Sequence, residues 1–440
     1  MTDHMLIRGG TVVHRETTTR SDVLVVDGII SLVGEHLDIP AGTTIVDAEG
    51  CWVGPALVDL HTHLREPGGE EAETVASGAR AGVLGGYSAV MAMPNTSPAI
   101  DSSAVVAQVL ALGQASCLDV AVAGAITVGR LGERLAPLAE MAELGVTFFT
   151  DDGTGVQNAG LMRRAMEYAR GLNVVIADHC EDDALAGDGC MNESSLSSEL
   201  GLVGRPALAE EVMVARDLAL AQHTGCELHL LHLSTVGSAA LVAQAKQAGV
   251  NVTAEVAPHH LLLTEELCRE YDPLYKVHPP LRTANDVEAL RMALRSGGID
   301  AVATDHAPHA PETKDRPFAE ATPGMLGLQH AFALTREALG GADADPVLLF
   351  RVLSRTPAKI ARLTQSDQRR GGHSAHGGEI AVGEDANLVV IDPEGRPVVR
   401  SEVLASKSRN TPYEGRTLLG AVRHTIVRGE IVVNDGVAQR

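Results

Sequence analysis

Residues 56–63 read ALVDLHTH. An apolar, β-forming run ends in two histidines one residue apart. Residues i and i+2 of a strand share a face, so His61 and His63 point the same way and can serve one metal ion. The same design recurs along the chain. VTFFTDDG (146–153) ends past Asp152, VVIADH (174–179) ends in His179, LHLLHLST (228–235) carries His232, and AVATDH (301–306) carries Asp305. Imidazole and carboxylate are the usual zinc ligands of hydrolases. In a parallel α/β barrel the strand C-termini converge on one face, where ligands far apart in sequence meet. The pattern points to metal-assisted hydrolysis.

Working outward, eight such strands are expected: ALVDLHTH, YSAVMAMPNT, CLDVAVAGAIT, GVTFFTDDG, NVVIADHC, CELHLLHLST, NVTAEVAPHH and DAVATDHAPH. Helical stretches such as ETVASGARAGVLGG, LMRRAMEYARGL and GSAALVAQAKQAG separate them. Their interiors are continuous Val, Ile, Ala and Leu, as expected for strands covered on both faces. Eight βα units favour a closed (β/α)8 TIM-like barrel over an open sheet. Both chain ends read differently. MLIRGGTVV, SDVLVVDGIISLVG and TTIVDAEGCWV are short β runs, with Asp27-Gly28 a hairpin turn. ANLVVIDPEG, RPVV and AVRHTIVRGEIVVNDG repeat this at the other end, with Arg428-Gly429 as a turn. We expect one small β-sandwich-like domain built from both termini: an N-terminal β segment over 1–54, the barrel over 55–365, and a linker with the C-terminal β segment over 366–440. QSDQRRGGHSAHGG, Gln365 to Gly378, reads as a mobile surface linker, its histidines His373 and His376 included.

Composition narrows the function. The chain has 440 residues, 45% of them hydrophobic, enough for a large core. Its 57 acidic residues against 35 basic ones give a net charge of −22, which repels phosphate backbones and argues against nucleic acid. An anionic substrate would then need a local basic anchor. Six cysteines form no CxxC pair, as expected of reduced thiols in a cytoplasmic protein. Cys180, beside His179, should face away from it and be buried. No signal peptide and no membrane span is legible.

Asp305 stands at the end of the last expected strand. A carboxylate there can reach a metal and also accept a proton from its water, whose pKa zinc lowers toward ~7. Of Asp151 and Asp152, one could bridge metals and the other cap a turn.

HTHLREPG, MPNTSP, FFTDDG, ADHCED, HLST, PHHLLLT, PPLRT, ATDHAPH and KSRNTPYEGR together resemble the dihydroorotases of the bacterial class I type, in the amidohydrolase superfamily. The likeness runs through nearly the whole chain. HxHLREPG with DHAPH is specific; MPNT and HLST are shared with allantoinases and hydantoinases. The resemblance implies one or two zinc ions, two favoured. His61, His63 and Asp305 would hold the more buried ion and His179 and His232 the second. Asp152, rather than Asp151, would touch both, where other amidohydrolases use a carboxylated lysine. Asp305 would be the catalytic base. The implied substrate, dihydroorotate, carries a carboxylate, for which Arg65 offers a charge-assisted fork, with Asn95 and His309 completing the pocket. His63, His278, Pro323 and Gly324 would also line it. His278 stands where the family usually has asparagine, and Pro323-Gly324 where it tends to have Phe-Gly. Imidazole can still donate a hydrogen bond, and the glycine backbone can still approach the ring. His229, His259, His260 and His306 read as structural or supporting. The resemblance further implies reversible hydrolysis of dihydroorotate to N-carbamoyl-L-aspartate in pyrimidine synthesis, and a homodimer. Two other readings stand beside it: an allantoinase or hydantoinase, against which Arg65 argues, and a weakly active relative that scaffolds aspartate transcarbamoylase. Such scaffolds typically lose metal histidines, and all the implied ligands are present here.

Overall fold

A computed structural model describes residues 4–38, 40–370 and 372–439; Met1 to Asp3, Ile39, Gly371 and Arg440 lie outside it. Eight central strands appear where the sequence places them: Leu57–Thr62, Tyr87–Ala92, Asp119–Val122, Phe148–Phe149, Val175–Asp178, Leu228–Leu230, Val252–Val256 and Ala301–Val302. All are parallel to their neighbours. Single parallel bridges, Gly124 to Phe149 and Thr62 to His306, join the third strand to the fourth and the first to the eighth. The sheet therefore closes into a barrel.

Alternation along each strand sorts the side chains. Val58, Leu60, Ala89, Met91, Phe148, Val175 and Ala301 fill the interior. Leu57, Val90, Val120, Ile176, Leu230 and Val256 face the surrounding helices. Those helices begin on capping residues. Thr74 makes a capping box for Val75–Leu84, and Asn158 caps Ala159–Leu172.

The termini build one nine-stranded sheet. His4–Val13 pairs antiparallel with Thr18–Val26, which pairs with Ile29–Gly34. Leu388–Asp392 pairs antiparallel with Trp52–Pro55 and with Ala421–Val427, so the sheet is stitched from both ends of the chain. Ile7, Val25, Ile30, Leu388 and Ile426 share its core. Both expected turns form. Asp27-Gly28 and Arg428-Gly429 have positive φ at both residues, the geometry that a two-residue hairpin demands.

Two expectations fail. RPVV forms no strand, only a single bridge from Val398 to Thr417. The stretch from Gln365 to Gly378 is no mobile surface linker where it is described; it is a strap across the N-terminal end of the barrel. His376 is fully enclosed, with Nε2 2.9 Å from Asp119 Oδ2 and Nδ1 2.9 Å from Ser88 Oγ. His373 is also buried. Arg370 donates to the Gly145 carbonyl (2.9 Å) and to Thr147 Oγ1 (3.1 Å). The physical reason is that strand N-termini leave polar groups that something must cover. A polar, glycine-rich segment does so.

Candidate active site

The opposite, C-terminal end of the barrel gathers the six expected ligands. His61 Nε2 lies 3.3 Å from Asp152 Oδ1 and 3.6 Å from Asp305 Oδ1. His63 Nε2 lies 3.1 Å from Asp305 Oδ1 and 3.5 Å from Asp152 Oδ2. His179 Nδ1 and His232 Nε2 stand 3.6 and 3.5 Å from Asp152 Oδ1, and 2.9 Å from each other. Donors bound tetrahedrally at ~2.0–2.2 Å stand roughly 3.3–3.6 Å apart, so these spacings suit shared cations. His61, His63 and Asp305 form one group that could hold a metal ion, and His61, Asp152 and His232 another. His61 Nε2 is enclosed and has no hydrogen-bond partner, as an atom with its lone pair reserved for a cation would be.

Several backbones here are strained. Arg65, His232 and Asp305 have φ of +61°, +28° and +46°, a region that side chains avoid. Hydrogen bonds hold the strand ends in that shape. Asp59, two residues before His61, accepts from the Thr304 amide (2.8 Å), Thr304 Oγ1 (2.5 Å) and Thr62 Oγ1 (2.7 Å). It thereby ties the first strand to the eighth.

Three of these imidazoles face a partner with their other nitrogen, whereas the enclosed His232 Nδ1 has none. His61 Nδ1 donates to Glu255 Oε1 at 2.9 Å, and His63 Nδ1 to Asn95 Oδ1 at 2.8 Å. His179 Nε2 faces Glu181 Oε2 at 3.7 Å, and Glu181 pairs with Arg205. Burial would push the His61 imidazole down, but Asp152, Glu255 and Asp305 hold it well above its ordinary value. Against the same burial, Asp152 and Glu181 hold His179 at about 9. Burial would also raise the Asp152 and Asp305 carboxyls, yet the surrounding histidines hold both well below the usual carboxylate range. A cation arriving here displaces protons.

Beside the cluster, Arg65 Nε donates to the Pro308 carbonyl at 3.1 Å. Burial lowers its guanidinium to about 10, and it stays charged. His309 Nε2 lies 2.7 Å from the Pro323 carbonyl. A carbonyl cannot donate, so Nε2 carries the proton, and its 3.5 Å approach to Arg65 Nη2 is only a contact. Burial and Arg65 push His309 down to about 3, which keeps it neutral.

The backbone polar groups of Gly324 are already engaged. Its N–H already bonds the Lys276 carbonyl (2.9 Å), and its carbonyl accepts from Lys314 Nζ and Asn410 Nδ2 (both 3.1 Å). Only nonpolar contact with a ring is left to it. His278 stands near Glu181 and Arg205; burial holds it at about 3, and its enclosed Nε2 has no partner. Asp151 takes the capping role, accepting from the Ile126 (2.9 Å) and Thr127 (3.1 Å) amides. Cys180 is buried against Asp217, as expected.

A family model described as dihydro-orotase-like matches residues 50–238. The dihydroorotase of Streptomyces coelicolor is 48% identical over 434 residues, 98% of each chain. That of Mycobacterium tuberculosis is 45% identical over 425 residues, 95% of this chain and 96% of the other. The chain belongs to the dihydroorotase family. Among solved structures, L-hydantoinase (dihydropyrimidinase) from Arthrobacter aurescens superposes with a TM-score of 0.88 at 23% identity, covering 100% of this chain and 98% of that one. D-hydantoinase from Thermus sp. gives 0.82 at 24%, covering 99% and 96%. Those likenesses show that this chain shares its fold with these hydantoinases.

Reasoning from sequence missed several members of the site. Glu255 and Asp59 each put a carboxylate inside an otherwise apolar strand, and that anomaly was the available signal. Lys314 and Asn410 carried none. Among the described residues, no helix is long and apolar enough to cross a membrane.

Proposed function

We propose that this chain is a dihydroorotase that interconverts (S)-dihydroorotate plus water with N-carbamoyl-L-aspartate, in pyrimidine synthesis. The observation that carries the reading is the meeting of His61, His63, Asp152, His179, His232 and Asp305 beside the half-buried cation Arg65. His61, His63 and Asp305 would hold one zinc ion, His179 and His232 a second, with Asp152 shared between them. Zinc, when bound, polarises the ring carbonyl and makes water more acidic.

The chain's own groups do the rest. Arg65 binds the substrate carboxylate as a charge-assisted fork. Asn95 spends its Oδ1 on His63, which leaves its NH2 for that carboxylate. His309 turns its Nε2 proton from the Pro323 carbonyl to the substrate. Asp305 takes a proton from the attacking water and delivers it to the leaving ring nitrogen; ring closure reverses both transfers. Burial of the cluster excludes bulk water, which strengthens each charge interaction. His278, Pro323 and Gly324 line the remaining wall.

The same reading takes the protein to be cytoplasmic, in keeping with free and mostly buried cysteines. It extends to a homodimer and to association with aspartate transcarbamoylase. Sedimentation of the chain alone and with the transferase would check both.

The deciding experiment follows ring opening of dihydroorotate by ultraviolet absorbance, with zinc-loaded protein and a chelated control. Chelator-sensitive turnover is the expected result. A folded, zinc-bearing protein that leaves dihydroorotate intact would overturn the reading, and turnover of hydantoin or allantoin instead would move it to those activities.

A further inference from the structure

Asp152 approaches four imidazoles with a side chain only two carbons long. An acid on so short an arm can meet them only if its backbone is held in place. Two loops cross-brace that backbone. On one side, Asp151 accepts from the amides of Ile126 and Thr127 and from the Thr127 hydroxyl. On the other, the loop so anchored returns Arg130, whose Nη2 donates to the carbonyl of Asp152 itself.

The loop is built to present that arginine. Gly129, Arg130 and Gly132 have φ of +62°, +59° and +67°, and a side chain other than asparagine or aspartate is rare there. The Gly129 amide donates to Asp101 Oδ2 at 2.7 Å, the Arg130 amide to the Thr127 carbonyl at 3.0 Å, and the Gly132 amide to Thr127 Oγ1 at 3.0 Å. Arg130 is half-buried, and its Nε is enclosed with no partner of its own, so its one side-chain bond to protein is the one to the strand end. Beyond it, the Thr154 and Gly155 amides close onto the Asp151 carbonyl, both at 3.1 Å.

We propose that Arg130 and Asp151 form a reciprocal clasp between the loops after the third and fourth barrel strands, and that Arg130 is a positioning residue for the Asp152 carboxylate. The inference rests on the zinc-dependent reading above. It adds that metal affinity is set in part by an arginine that touches no metal. Losing a group that orients a ligand typically weakens metal binding 10–100-fold.

The test measures zinc affinity by competition with a chelating dye for the wild type, Arg130→Met and Arg130→Lys. Melting temperatures with and without zinc, and KM for dihydroorotate, accompany it. Arg130→Met should bind zinc ~10–100-fold more weakly. Its zinc-induced rise in Tm should shrink while the zinc-free Tm stays at the wild-type value. Arg130→Lys, which keeps a donor, should recover part of the affinity. Unchanged affinity in Arg130→Met overturns the clasp, as does a raised KM with unchanged affinity, which would make Arg130 a substrate contact. A fall of the zinc-free Tm equal to that of the zinc-loaded form would also overturn it, as a purely structural effect. A wild type with no zinc affinity would overturn the functional reading and the clasp together, whereas a zinc-binding wild type with an unaltered variant overturns the clasp alone.

Discussion

Glu255 Oε1 stands 2.9 Å from His61 Nδ1, and its second oxygen stands 3.0 Å from His229 Nε2. One buried carboxylate thus fixes which nitrogen of His61 carries the proton and turns the other toward Asp152. His229 is held in turn by Thr253 Oγ1 at 2.8 Å. Glu255→Gln keeps the shape and removes the charge. We expect zinc affinity to fall ~10–100-fold, read by equilibrium dialysis. Unaltered affinity would show that His61 needs no such orientation.

Asp305 is held well below the ordinary carboxylate range by His63, His61 and His232 despite its burial, so it is ionised and ready to take a proton. Asp305→Asn should lower turnover by ~10²–10⁴ with zinc retained. Kinetics paired with metal analysis on one preparation would check this. Near-normal turnover would remove Asp305 from the base role.

Arg65 is the half-buried cation beside the cluster. Replacement by methionine removes a charged hydrogen-bonding group worth about 1.5–3 kcal/mol. KM for dihydroorotate should rise roughly 10- to 150-fold, with zinc content intact. Steady-state kinetics decide; loss of metal with KM unchanged would contradict the anchor role.

Gly324 has φ of +141°, and an added Cβ would lie 2.6 Å from His309 Nε2 and 2.8 Å from Ala307 Cβ. Gly324→Ala should destabilise the fold by on the order of 1–3 kcal/mol in urea unfolding. It should also raise KM, because His309 is displaced. Wild-type stability and KM together would mean the wall yields freely.

At the far end of the barrel, burial alone would raise the Asp119 carboxyl, but His376, His373 and Arg428 hold it at about 2. A folded-state value below the unfolded one contributes stability above pH ~4, and that contribution is lost as pH falls through about 2. It is worth on the order of 2 kcal/mol. Asp119→Asn should therefore melt lower at neutral pH, with the gap to wild type closing toward pH 2 and turnover unchanged. Calorimetry across that range would show it; a gap independent of pH would refute the linkage.

The barrel was legible because its strands are apolar runs followed by chemistry-bearing residues. LVDLHT, VIAD and LHL could hardly be read otherwise. The candidate ligands stood out for the same reason, since strand ends are where a barrel displays function. The choice of Asp152 over Asp151 came from family likeness, and the capping bonds of Asp151 now explain it. What stayed hidden depends on contacts between distant segments. His376 reads as a surface histidine because its partners, Ser88 and Asp119, lie more than two hundred residues away. Gly324 reads as a free backbone because Lys314 and Asn410 give no local sign of their grip on it. RPVV has strand composition, but composition does not supply a neighbour to pair with.

The seam between Trp52–Pro55 and Leu388–Asp392 has a consequence for biosynthesis. Roughly 330 residues separate the two strands along the chain. At ~10 residues per second, the ribosome takes on the order of half a minute to supply the second after the first. For that interval the edge of Trp52–Pro55 is open, with unpaired N–H and C=O groups beside apolar side chains, a template for pairing with another nascent chain. A chain that stops short of Leu388 leaves that edge unsealed, and the wait for Leu388 makes the nascent chain depend on whatever covers the edge meanwhile.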